Sequence, residues 1–125
     1  MADPRLTLTN GALTSEQLAA AFSAIPADVT FVDSEDVVRY YSEYRIFSRT
    51  PECLDRGVLE CHSPGTRARV ARLIAELRDG WREDAVFLTE KDGRPVQTRY
   101  LAVRGDGGEY LGCIEMAQWA DGIGA

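Results

Sequence analysis

An α+β fold follows from three features of the sequence. Residues 64–79 repeat apolar side chains at helical spacing, and residues 84–118 break into three strand-like runs separated by Gly- and Asp-rich turns. Residues 29–42 read as a further pair of strands. Strands that follow one another through tight turns pair antiparallel. The expected architecture is therefore a five-stranded antiparallel sheet with helices packed on one face and an amphipathic helix at the N-terminus.

Size and composition fit one such unit. The 125 residues, 45% of them hydrophobic, suffice for a core without disulfide staples. Twenty acidic against fourteen basic residues give a net charge of -6, at odds with a nucleic-acid-binding surface. The longest apolar runs, such as Leu18 to Phe22, fall far short of the ~20 residues of a membrane span. The opening Met1-Ala2-Asp3-Pro4-Arg5 has no charged-then-apolar signal peptide, so the expected setting is the cytoplasm. Cys53, Cys61 and Cys113 are odd in number and lack CxxC spacing. They read as free thiols in a reducing compartment.

The elements follow in order. Residues 1–12 form an N-terminal extension that ends at the Asn10-Gly11 turn signal. Thr14 and Gln17 have capping-box spacing, and Leu18, Ala21, Phe22 and Ile25 recur at i, i+3, i+4 and i+7. Pro26 stops that helix, which spans about 14–25 and needs a partner surface. Val29 and Phe31 then alternate with polar neighbours, Asp33-Ser34-Glu35-Asp36 turns the chain, and Val37 to Ser42 returns as a second strand.

Residues 43–62 lack a sustained period and predict only short helical turns, with helix-start chemistry at Thr50-Pro51. Ser63 before Pro64 is an N-cap followed by proline at the first helical position. Val70, Leu73, Ile74 and Leu77 line one face of the resulting helix, and Gly80 stands where it should end. Residues 84–90, 96–103 and 110–118 complete the sheet as a meander.

This order of elements, and several strings within it, resemble a PAS domain. The strings are Gly11-Ala12-Leu13-Thr14, Ile25-Pro26-Ala27-Asp28-Val29-Thr30-Phe31-Val32-Asp33, Val38-Arg39-Tyr40-Tyr41-Ser42 and Cys61-His62. Arg99-Tyr100-Leu101-Ala102-Val103-Arg104 and Gly108-Glu109-Tyr110-Leu111-Gly112 extend the likeness. They are similar to the PAS domain of hemerythrin-associated bacterial and archaeal proteins. The resemblance implies a PAS-like domain over residues 13–118 with a C-terminal tail at 119–125. It also implies a non-catalytic sensory module that binds a small ligand or cofactor between sheet and long helix and signals to a separate effector protein.

His62, the only histidine, lies just before the long helix, where haem-binding PAS domains typically carry an axial ligand. Haem is thus the leading cofactor candidate, with His62 on the iron and Cys61 as a second ligand or redox-sensitive thiol. A structural histidine at the helix entrance is the alternative. Phe31, Tyr40, Phe87, Tyr100 and Ile114, with Val70, Ile74 and Leu77, are the expected pocket lining, and equally the expected core. Strand alternation leaves that face open to reversal by one residue. Arg99, Arg104, Asp33 and Glu115 are candidates for polar ligand contacts or a solvated outer face. The competing reading is an interaction module with a filled core, in which the 14–25 helix forms a homodimer.

Overall fold

The computed structural model describes residues 4–47 and 51–121. The chain begins with two strands, β1 (Arg5–Leu8) and β2 (Gly11–Thr14), followed by α1 (Ser15–Ala24). Strands β3 (Asp28–Asp33) and β4 (Val38–Tyr41) come next, then 3-10 turns at Pro51–Cys53 and Val58–Cys61. Helix α2 (Pro64–Asp79) leads into β5 (Asp84–Lys91), β6 (Arg94–Arg104) and β7 (Tyr110–Trp119). Thr50, half of the expected helix start, lies outside the described residues, as do the last four residues of the tail.

The five-stranded sheet has the order β4-β3-β7-β6-β5 and is antiparallel throughout. Turn chemistry sets its hairpins. Between the paired Lys91 and Arg94, Asp92 and Gly93 both take positive φ (53° and 78°), as a two-residue turn matched to strand twist requires. Between β3 and β4, Asp33 Oδ1 accepts the amides of Glu35 (2.9 Å) and Val37 (3.1 Å), closing a side-chain-capped turn.

The amphipathic helix expected at the N-terminus is not what the chain opens with. Leu8 pairs with Gly11 around Thr9-Asn10, so the turn signal joins two short strands in a hairpin. Helix α1 then starts with the expected Thr14–Gln17 capping box but buries no residue. Its apolar stripe lies half in solvent, with Phe22 47% exposed and 5.8 Å from the Tyr40 ring.

Helix α2 does bury a face. Val70, Leu73, Ile74 and Leu77 are all in the core, packed on Val32, Val38, Cys113 and Tyr100 of the sheet. Gly80 ends the helix in the left-handed conformation, and Arg104 Nη2 donates to the Leu77 carbonyl at 2.7 Å. A second, smaller cluster of Ile46, Val96 and Ala117, with Phe47 and Trp119 against it, fills the far end of the same sheet face.

The central pairing runs from Asp28↔Ala117 to Asp33↔Gly112. Gly112 sits there at φ 148°, where an added Cβ would drive into the Val32 carbonyl oxygen and the Phe31 ring. Backbone oxygen on a neighbouring strand cannot step aside. Gly112→Ala should therefore cost about 3 kcal/mol or more, measured as the midpoint shift in chemical denaturation. A midpoint within error of the parent would show that β7 does not approach β3 this closely.

Candidate functional site

Cross-strand pairing arranges the inner sheet face in rows. One row runs Tyr41–Thr30–Glu115–Tyr100–Ala85, and the next runs Asp28–Ala117–Thr98–Phe87. The N-terminal half of α2 passes above these two rows without filling the space. A cavity of about 350 Å³ remains between them, at the lower end of the ~300–1,000 Å³ range of small-molecule sites. Its walls combine Val70, Leu73, Phe87 and Tyr100 with His62, Thr66, Thr98 and Glu115.

His62 enters this space from the end of the Val58–Cys61 turn. Its Nδ1 is 2.9 Å from the Val58 carbonyl, which can only accept, so Nδ1 carries the proton. The opposite nitrogen, Nε2, then points at Glu115 Oε2 across 3.8 Å, and both side chains are only 14% exposed. That separation exceeds hydrogen-bond length. Thr30 Oγ1, one step along the same row from Glu115, is buried and has no hydrogen-bond partner. The aromatic wall is fixed by a T-shaped Phe87–Tyr100 contact, with the Arg69 guanidinium 5.7 Å from the Phe87 ring centre.

A strap of residues 42–47 closes the far side and brings Phe47 to the cavity. Buried Asp28 holds it: Oδ2 accepts the Ile46 and Phe47 amides (2.9 and 2.8 Å), and Oδ1 pairs with Arg45 at 2.7 Å. Ser42 Oγ accepts the Val29 amide at 2.8 Å and donates toward the Tyr44 carbonyl at 2.9 Å. The strap is thus tied to the start of β3 by these side chains and by the Ser42 amide, which donates to the Val29 carbonyl at 2.8 Å.

Of the residues singled out in the sequence, Cys61, His62, Val70, Phe87 and Tyr100 meet at the cavity. Ile74 and Leu77 lie further along α2, in the filled core. Phe31, Tyr40 and Ile114 do not reach either place. They pair with one another on the opposite face, beneath α1, because the inner positions of β3 and β7 are Asp28, Thr30, Val32, Cys113 and Glu115. The one-residue ambiguity of strand alternation resolved against them. Sequence reasoning passed over Phe47, Thr66, Leu73 and Thr98 as site residues. Thr98 stands between Gln97 and Arg99, so no local signal marked it as facing inward.

The charged candidates divide similarly. Glu115 faces the cavity, whereas Arg104 binds Glu83 and the end of α2, and Arg99 lies 3.5 Å from Asp84. Burial alone would raise the Asp33 carboxyl, but the Arg39 guanidinium and the Val37 and Glu35 amides outweigh it and hold its pKa below the usual value. Cys113 is buried under α2, and desolvation pushes its thiol up to about 11, which keeps it protonated and unreactive at neutral pH. Among the described residues no group of three or more His, Cys, Asp or Glu side chains is placed to hold a metal ion. No helix among them is long and apolar enough to cross a membrane.

A sheet cupping a cavity under one long helix matches a known family model, that of the PAS domain, over residues 18–118. The chain belongs to the PAS domain family. The match is to the PAS domain as such and does not reach the narrower hemerythrin-associated type. Among solved structures, the C-terminal domain of a Streptococcus mutans protein is 29% identical, with a TM-score of 0.89 over 94% of this chain and 93% of that one. The PAS domain of a Colwellia psychrerythraea protein shares the fold at 13% identity, with a TM-score of 0.63 over 83% and 94% of the two chains. Vibrio cholerae VqmA, solved as a complex with ligand and DNA, has a TM-score of 0.63 and 21% identity over 86% of this chain and 51% of its own. No curated protein sequence matches. The PAS assignment makes this chain a sensory or signalling module.

Removing the anchor of the strap should open the site. Asp28→Ala leaves the Ile46 and Phe47 amides and Arg45 without their buried partner, a change that typically costs about 3–5 kcal/mol. Denaturation should show that loss, and hydrogen exchange should show residues 42–47 exchanging faster than α2. Uniform protection in the variant would mean that the strap is held by something else.

Proposed function

We propose that this PAS domain is a sensory module that holds a small polar molecule in the cavity between α2 and the sheet, and does no chemistry on it. The observation that carries the reading is the cavity itself, with polar His62, Thr98 and Glu115 on its walls, lying between two well-filled apolar clusters. A domain selected only as an interaction module would gain stability by closing that space with apolar side chains. The fold-sharing VqmA has been solved with a bound ligand, which supports a similar use of the fold here. Occupancy would act by shifting populations for a separate effector protein. Three free thiols suit a cytoplasmic setting.

Haem fits this cavity poorly. Iron on His62 Nε2 would sit at a metal–nitrogen distance of about 2 Å. The Glu115 carboxylate already stands 3.8 Å from that nitrogen, where the macrocycle would have to pass. Protein-observed NMR with a library of small aromatic and heteroaromatic compounds tests the proposal. Binders should shift the single histidine together with Phe87 and Tyr100, and Val70→Phe should abolish those shifts without lowering stability by more than the ~1–3 kcal/mol of overpacking. Protein purified from haem-supplemented cells should show no Soret band. Binders that perturb only exposed residues, leaving His62 unmoved, would sink the reading.

A second observation favours self-association. Leu6 and Leu8 on the N-terminal hairpin, Phe22 on α1 and Ile25 just after it are large apolar side chains left 42–48% exposed. We propose that these elements form a homodimer contact, as VqmA, described as a dimer, also self-associates. Light scattering should give twice the chain mass, and Phe22→Asp should return it to one. A monomer at high concentration in the parent protein ends this proposal.

A further inference from the structure

Cys53 and Cys61 end the two 3-10 turns that precede α2, and the turns pack against one another. Asp55, in the left-handed conformation at φ 62°, reverses the chain between them. Backbone hydrogen bonds pin this stretch to β4 and the turn before it. The Asp55 amide donates to the Val38 carbonyl (2.7 Å), Val38 to Arg56 (2.8 Å) and Val58 to Asp36 (2.8 Å). Cys61 Sγ is thereby held 3.9 Å from the Cys53 carbonyl oxygen. Both cysteines are partly exposed and outside any disulfide. Cys61 also lines the cavity, and the residue after it is His62. The third cysteine differs, because Cys113 is buried and desolvation pushes its thiol up to about 11.

We propose that Cys53 and Cys61 form a reversible disulfide, which couples the wall of the cavity to the thiol redox state around the protein. The oxidant is a small disulfide of the glutathione type. One cysteine, as its thiolate, attacks a sulfur of that disulfide; a mixed disulfide forms and one glutathione thiolate leaves. The thiolate of the other cysteine attacks the protein-bound sulfur, the internal S–S bond forms and the second glutathione thiolate leaves. Two electrons pass from the cysteine pair to the glutathione pair, and the two protons lost by the cysteines end on the two glutathione thiols. Accessible thiols poised beside a resolving cysteine are the ones that take this route. Cys113 is neither exposed nor readily ionised. The consequence for the cavity follows from the chain. The turn that ends at Cys61 also holds His62, whose Nδ1 is 2.9 Å from the Val58 carbonyl, so drawing Cys61 onto Cys53 alters the wall that both residues form. This holds whatever molecule the cavity takes.

The full chain, equilibrated with reduced and oxidised glutathione at varied ratios and then alkylated in denaturant, tests this. Oxidised protein should lose the mass of two hydrogens. Trypsin cuts after Arg56, between the two cysteines, so digestion without reductant should give one linked pair of peptides, carrying Cys53 and Cys61. The ring signals of the single histidine should shift on oxidation and return with dithiothreitol. Cys53→Ser and Cys61→Ser should each retain glutathione on the remaining partner, whereas Cys113→Ser should still close the bond. The linked peptides come from the unaltered protein, so they decide the matter even where a variant folds poorly. Three thiols still alkylated at the most oxidising ratio would overturn the proposal. So would a bond that includes Cys113, or glutathione kept on both cysteines with no internal bond. A Cys53–Cys61 bond that leaves the His62 ring signals unmoved would overturn the coupling to the cavity.

Discussion

The ladder between β3 and β7 is the contact on which the rest of this domain depends. It joins a strand from the first third of the chain to its last strand and makes them the two central neighbours of the sheet. Closing so long a loop costs entropy that only a well-made interface recovers. The interface is tight: Gly112 lies against the Val32 carbonyl with no space for a side chain. Register follows from the ladder, and register decides chemistry. With Thr30 opposite Glu115 and Val32 opposite Cys113, polar side chains face the N-terminal half of α2 and apolar ones face its C-terminal half.

That division explains why a cavity survives in so small a domain. The C-terminal half of α2 lies on Val32, Val38 and Cys113 and packs densely, while the strap at residues 42–47 seals the far end over Val96 and Ala117. Neither covering fills the space above Thr98 and Glu115. Polar groups at such a position weaken a core rather than strengthen it, so their presence favours use over stability. The two ends of β3 show how magnitude separates supporting roles. Asp28 is buried and holds the strap through two amides and Arg45. Asp33 makes the same kinds of bond to Glu35, Val37 and Arg39, but nearly in solvent, where screening leaves it to shape a turn and little more. Its lowered pKa means that its contribution is present above the unfolded carboxylate pKa. It fades as pH falls through the folded value.

Much of the fold was legible in the sequence, and the reasons are local. Val70, Leu73, Ile74 and Leu77 keep helical period between a proline start and a glycine stop, and Asp92-Gly93 can hardly do other than turn a hairpin. The cavity was half legible. His62 stood out by its place before a helix, and Phe87 and Tyr100 as aromatic residues on expected strands, although alternation there did not decide which face turns inward. On β3 and β7 the pattern misled. Phe31, Tyr40 and Ile114 are the bulkier residues, yet they face α1, and the inner positions include Asp28, Thr30 and Glu115. A sheet whose inner face is lined by a polar cavity breaks the rule that the apolar side points inward. Phe47 was illegible for a different reason: Asp28 places it from far along the chain, and no local period records that.

The same alternation bears on how an occupied cavity could be felt elsewhere. Along β7, Glu115 faces the cavity while its neighbour Ile114 faces the other way. Along β3, Thr30 and Phe31 stand in the same relation. The outward neighbour of Phe31 is Tyr40 on β4, and the Phe22 ring of α1 lies against Tyr40. No residue of α1 is buried, so its attachment belongs to the low-stability end of the structure. An element held that weakly responds to small differences. A ligand that binds one arrangement of β3 and β7 better than another by ~1.4 kcal/mol changes the balance tenfold. Helix α2, with four side chains in the core, would need several times that to move. On these magnitudes the exposed hairpin and α1, rather than the helix that covers the cavity, are the parts of the domain able to report what it holds.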